Sequence, residues 1–232
     1  MTIHREKHIL LGRYLKDIVF AANDGIVTTF AVVAGVVGAA LSPVVILIIG
    51  FASLIADGFS MATGNYLGSK SEKEFYLKEE AVEKREIKEI PEKELEEIRR
   101  ILKRKGYDGK NLEEMVRLIS SNEKYWLDFM MHEEIGLLTP EAYSPFVSAT
   151  ATFVSFIAAG SLPLWPYVIF GGDSVFTISA VATGVTLFIV GALRKFFSNR
   201  SWFASGVEML LVGGSAATLA YFAGFFLQSL LS

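Results

Sequence analysis

The lysines and arginines of this chain occupy three islands, and the long stretches between them hold none. Four lie between Thr2 and Lys16, fifteen between Lys70 and Glu141, and three between Arg194 and Arg200, which accounts for all 22 in the 232 residues. A water-soluble globule needs charge on every outward face, so apolar runs of this length point to lipid as their solvent. Such runs fall at about 17–41, 43–67, 144–166, 174–194 and 203–231, each near the roughly 20 residues that carry a helix across the hydrocarbon. The expected fold is all-α: a polytopic membrane protein with five transmembrane helices. The first apolar run is too long for a signal-peptide core and no small-residue cleavage site follows it, so it is expected to stay attached.

Every basic residue falls in the N-terminal segment, the 70–143 insertion or the 194–202 loop. Five alternating spans put those three on one side, which the positive-inside bias makes cytoplasmic. The C-terminus then lies on the opposite side, with Asp173 as the one charge of the opposite loops. Three regions follow: an N-terminal segment with spans 1 and 2 over 1–69, a helical insertion over 70–143, and spans 3 to 5 over 144–232. The insertion combines 15 basic with 19 acidic residues and is broken at Pro91, at Gly106-Tyr107-Asp108-Gly109 and at Thr139-Pro140. It reads as three cytoplasmic helices between spans 2 and 3. No proline separates Val45 from Ile90, so span 2 is expected to continue into it as one long helix. Basic residues interleaved with more numerous acids argue against a nucleic-acid surface. The absence of cysteine removes disulfides, thiolate zinc sites and iron–sulfur clusters.

A charge near the bilayer centre costs about 2.5–3.5 kcal/mol on insertion scales, so Asp24, Asp57 and Glu208 require an explanation. Asp24 lies roughly 12 Å of helix rise beyond Lys16, and Met61 roughly 13 Å before Lys70 on the returning helix, so the two share a depth. Asp57 is one turn from Met61 on the same face. Asp24, Thr28, Ala31, Gly35 and Gly38 form one small, polar stripe, and Gly50, Ser53, Asp57, Met61, Gly64 and Gly68 form another. Small residues alone serve close helix packing. The two carboxylates and the thioether indicate in addition a cation route lined by Asp24, Asp57 and Met61. Glu208 is within reach of Arg194, Lys195 and Arg200, and a structural pairing explains it.

In the insertion, Glu83 and Glu86 are three apart before Pro91, and Glu94 and Glu97 are three apart after it. Met130, Met131 and Glu134 occupy neighbouring turns of the last helix. Folded together they would offer oxygen ligands and some thioether, a set suited to Fe2+ or Mn2+ and open to Co2+ and Zn2+. The same pattern also describes a solvated acidic face, with Met130 and Met131 as core filler.

Asn23-Asp24-Gly25-Ile26-Val27-Thr28-Thr29-Phe30 followed by Ala34-Gly35, the run Ser60-Met61-Ala62-Thr63-Gly64-Asn65-Tyr66-Leu67, and Lys70-Ser71-Glu72 resemble the vacuolar iron transporter (VIT) family. The resemblance spans the whole chain. It implies a homodimer that exchanges cytoplasmic Fe2+, and often Mn2+, for protons along a route at the dimer interface. It matches Asp24 and Met61 to translocation positions, and Glu83, Glu86, Glu94, Glu97, Met130, Met131 and Glu134 to metal-binding positions. Ser53 stands where some relatives have glutamate, and Asp57 one turn along is a candidate replacement. The expected function is therefore a proton-coupled exporter of divalent iron, not an enzyme, binding its metals as substrates with no prosthetic group. The alternatives are a membrane-bound ferroxidase and a metal sensor without transport. Di-iron oxidase sites use Glu-x-x-His, and no glutamate stands three residues before His4, His8 or His132.

Overall fold

The computed structural model describes residues 2–137, 144–196 and 200–231, with side chains from Tyr14 onward, Phe196 excepted. Among them the regular structure is helical: α1 Thr2–Gly38, α2 Pro43–Glu89, α3 Pro91–Arg104, α4 Gly109–Ser120, α5 Glu123–Glu133, α6 Pro145–Gly160, α7 Trp165–Ile169, α8 Val175–Leu193 and α9 Trp202–Leu231. Five helical segments are long and apolar enough to cross a membrane: Tyr14–Gly38, the apolar part of Pro43–Glu89, Pro145–Ile169, Val175–Leu193 and Trp202–Leu231. The chain divides into two compact units, 1–66 with 144–232, and 67–143. Helix α2 runs unbroken through the division, with no proline to interrupt it before Pro91.

In the larger unit α1 packs against α6, α8 and α9, and α8 packs against α9. The main apolar cluster joins Val33 and Ala34 of α1, Ile46 and Leu54 of α2, Phe156 of α6 and Leu164 of the turn that follows it. A second cluster joins Ile26, Leu187 and Met209. Between membrane helices the gain comes from close packing, and glycine supplies it. A Cβ on Gly25 would come 2.6 Å from the Phe156 carbonyl oxygen, and one on Gly224 would come 2.0 Å from that of Gly35. Helix α1 ends with Ala40 in the left-handed region, at φ 53°, while the Leu41 N–H reaches back to the Val36 carbonyl. Phe20, Ile48, Ile55, Phe59, Phe226 and Leu230 are exposed, the expected surface of a protein solvated by lipid.

The smaller unit has its own core of Ile87, Ile98, Ile101, Leu102, Leu112, Val116, Ile119, Trp126 and Met130. Pro91 ends α2 and occupies the first turn of α3, where a missing N–H costs nothing. Ile98, Ile101 and Leu102 then form the buried stripe of α3. Arg99 clasps Glu113 of α4 through Nε at 3.1 Å and Nη2 at 3.2 Å. Lys105 pairs with Glu133 of α5.

One expectation needs correction. The last helix of the insertion is two helices, because the chain turns at Ser121-Asn122 and the Asn122 side chain accepts from the Tyr125 N–H at 3.0 Å. With the end of α2 and with α3, the described residues of the insertion thus form four helical segments. The expected break at Thr139-Pro140 lies outside the described residues.

Candidate metal centre and membrane carboxylates

The break at Pro91 reverses the chain, so that Glu83, in the last turns of α2, faces Glu94, in the first turn of α3. Glu134 joins them from the C-terminal cap of α5. One oxygen from each of the three carboxyl groups lies within 4.8 Å of the others. Glu94 sits four residues before Ile98, on the buried stripe of α3, and is wholly buried; Glu83 is 4 % exposed. Neither oxygen of Glu94 has a hydrogen-bond partner among the described residues, and neither does Oε1 of Glu83. Lys93 Nζ stands 3.9 Å from Glu94 and 3.4 Å from Glu97, too far from Glu94 to supply a good bond.

The electrostatics follow from this crowding. Burial, then the facing Glu94 carboxyl, pushes the pKa of Glu83 up to about 8. Burial also raises Glu94, and raises Glu134 together with the charges of Glu97 and Glu94. Buried carboxylates without donors are costly, and a cation or shared protons relieve them. Oxygen atoms converging at this spacing fit a hard or borderline divalent ion.

Of the seven residues singled out in the insertion, Glu83, Glu94 and Glu134 converge. Glu86 and Glu97 act on them through their charge. Met130 belongs to the apolar core, one turn before Glu134, and Met131 beside it is buried.

In the larger unit, Asp24 is half-buried on α1 and Asp57 is exposed on α2, near enough for their charges to repel. Met61 packs against the main apolar cluster. Glu208 accepts from Arg200 at 3.0 Å, with Arg194 at 3.8 Å, which is the structural pairing expected of it.

The sequence reading passed over a polar cluster in the same unit. Asn65 Nδ2 donates to Ser148 Oγ at 2.9 Å and to Thr152 Oγ1 at 2.7 Å, and the Ser148 hydroxyl donates to Asp17 Oδ2. The Ser144 N–H, at the start of α6, donates to the Tyr14 hydroxyl at 3.0 Å. Ser148 and Thr152 are fully buried. The available signal was their spacing of four, which puts two hydroxyls on one face of an otherwise apolar helix.

A family model of the VIT family matches residues 15–225. The chain belongs to the VIT family. Among VIT relatives, Vacuolar iron transporter 1 of Arabidopsis thaliana is 34% identical over 220 residues, covering 94% of this chain and 88% of that protein. Vacuolar iron transporter of Plasmodium berghei is 34% identical over 236 residues, covering 97% of this chain and 86% of its own. Vacuolar iron transporter of Toxoplasma gondii is 35% identical, covering 97% and 78%. With five apolar helices and VIT membership, the chain is an integral membrane protein.

Proposed function

We propose that this VIT-family chain carries divalent iron, and manganese with it, out of the cytoplasm across its membrane in exchange for protons, working as a homodimer. The observation that carries the reading is the pair of carboxylates, Asp24 and Asp57, near enough for their charges to repel inside apolar spans, where packing alone would not keep them. The names of the relatives supply the substrate class. Glu83, Glu94 and Glu134, with Glu86, Glu97, Met130 and Met131 around them, capture the ion on the cytoplasmic side. Met61 and Asp24 receive it, and Asp57 accepts the ion or a proton. Coupling has a simple origin: a carboxylate holds a metal or a proton, not both well, so protons arriving from the far side release the metal. The excess of basic residues in the N-terminus, insertion and 194–202 loop supports the cytoplasmic placement of all three.

Proteoliposomes with an acidic interior test this directly, with uptake and internal pH followed together for Fe2+, Mn2+, Co2+ and Zn2+. Fe2+ uptake accompanied by internal alkalinisation is expected, and Asp24→Ala or Met61→Ala should abolish it. Undiminished flux in both variants defeats the pathway, and flux without a pH change defeats the coupling.

A further inference from the structure

Two polar rungs lie on α1 and α2. The upper is the Asp24–Asp57 pair, and the lower is the bridge from Asp17 through Ser148 to Asn65. Seven residues separate the rungs on α1 and eight on α2, roughly 10.5 and 12 Å of rise, so the two helices stay in register between them. Seven residues are close to two whole turns, which places Asp17 on the Asp24 face. Met61, four residues from both Asn65 and Asp57, lies at mid-height.

The lower rung has a fixed hydrogen-bond direction. Asn65 Nδ2 carries two N–H groups, and both are given away, one to Ser148 and one to Thr152. Ser148 receives one of these bonds, and its single proton goes to Asp17. Because Ser148 and Thr152 are fully buried, water does not substitute for a lost partner. Asp17 Oδ2 is therefore an acceptor for a donor whose direction is set by side chains on two other helices.

We propose that Asn65 is a positioning residue for cation passage: through Ser148 it orients Asp17 as a third carboxylate on the route that Asp24 and Asp57 define. The proposal rests on the transport reading above. It makes Asp17 the receiving group at the Tyr14 end of the spans, one rung before the Asp24–Asp57 pair, with Met61 between.

The test is the concentration dependence of Fe2+ uptake by the full chain in proteoliposomes under reducing conditions. Ser148→Ala and Asn65→Ala should each raise KM about tenfold while the maximal rate per folded transporter stays within about twofold, the signature of weakened capture. Asp17→Asn should raise KM at least as far, and adding Ser148→Ala to it should change KM no further, because Ser148 acts through Asp17. Ser148→Thr, which keeps the donor, should restore KM. A cluster that merely holds helices together would lower the yield of folded protein or the maximal rate and leave KM alone, and that result overturns the proposal. If the alanine variants do not fold, the near-isosteric Asp17→Asn decides: a wild-type KM overturns the proposal. Wild-type flux with no KM change in any variant defeats this inference alone, whereas absence of wild-type flux defeats the transport reading and this inference with it.

Discussion

Gly25 and Gly160 meet back to back where α1 crosses α6: a Cβ on Gly160 would stand 2.8 Å from the Gly25 carbonyl oxygen, and one on Gly25 would stand 3.3 Å from the Gly160 Cα. The contact lies one residue from Asp24, so it fixes the height of that carboxylate against the bundle. Backbone cannot yield as a flexible side chain does. Gly25→Ala should cost about 1–3 kcal/mol of stability as overpacking, and Gly160→Ala a comparable amount. Both should lower the thermal midpoint in detergent, whereas Gly64→Ala, whose Cβ meets nothing within 4 Å, should leave it in place. Equal midpoints for all three would contradict the close crossing.

Glu94 is placed to oppose stability and, on the proposed function, to hold the metal. It is fully buried with both oxygens unpartnered, so the neutral Glu94→Gln should protect the metal-free insertion against unfolding. The same change removes a direct ligand and should weaken Mn2+ binding by at least the roughly ten- to hundredfold that losing an outer-shell partner costs. Calorimetric titration and amide exchange of the full chain in detergent read the two effects. Unchanged affinity would return the cluster to the solvated acidic face that the sequence also allowed.

Protonation gives the same cluster a pH dependence of definite sign. Glu83 is raised from 4.5 to about 8 in the folded protein. Between those values the folded state holds a proton that the unfolded chain has released, so stability falls as pH rises through the window. Below about 4.5 the contribution is complete, and above about 8 it is lost. After correction for intrinsic rates, amides of α3 should exchange faster at pH 8 than at pH 6 without metal, and Mn2+ at pH 8 should restore protection. Exchange indifferent to pH would show that the cluster is not strained.

Asn122 starts the helix that carries Met130, Met131 and leads to Glu134. Asn122→Ala removes the acceptor for the Tyr125 N–H and should cost about 1 kcal/mol. Faster exchange confined to α5 and its neighbours should accompany the loss, with a modest drop in metal affinity because one ligand's support loosens. Protection equal to wild type would mean that packing of Trp126 and Met130, not the cap, holds α5.

The two carboxylate clusters differ in how far they were legible. Asp24 and Asp57 stand out because each lies well inside an apolar run, whereas Asp17 sits at the edge of its run. In the insertion the field was crowded: Glu79, Glu80, Glu89, Glu92 and Glu96 look much like Glu83 and Glu94 along the chain. The α4–α5 break was missed because the apolar stripe of Leu112, Met115, Val116 and Ile119 suggested a helix running on, although Ser120-Ser121-Asn122 carries a capping signal.

What the chain order alone determined is the set of membrane spans, the continuous α2 and the turn at Pro91, since exclusion of charge from lipid and the missing proline N–H act on consecutive residues. Only the folded arrangement decided that Glu83, Glu94 and Glu134 meet while Met130 joins the core, and that Asn65 reaches Asp17 through Ser148. Those contacts bring together residues that are distant along the chain, and their geometry is set by which helix faces are buried against which.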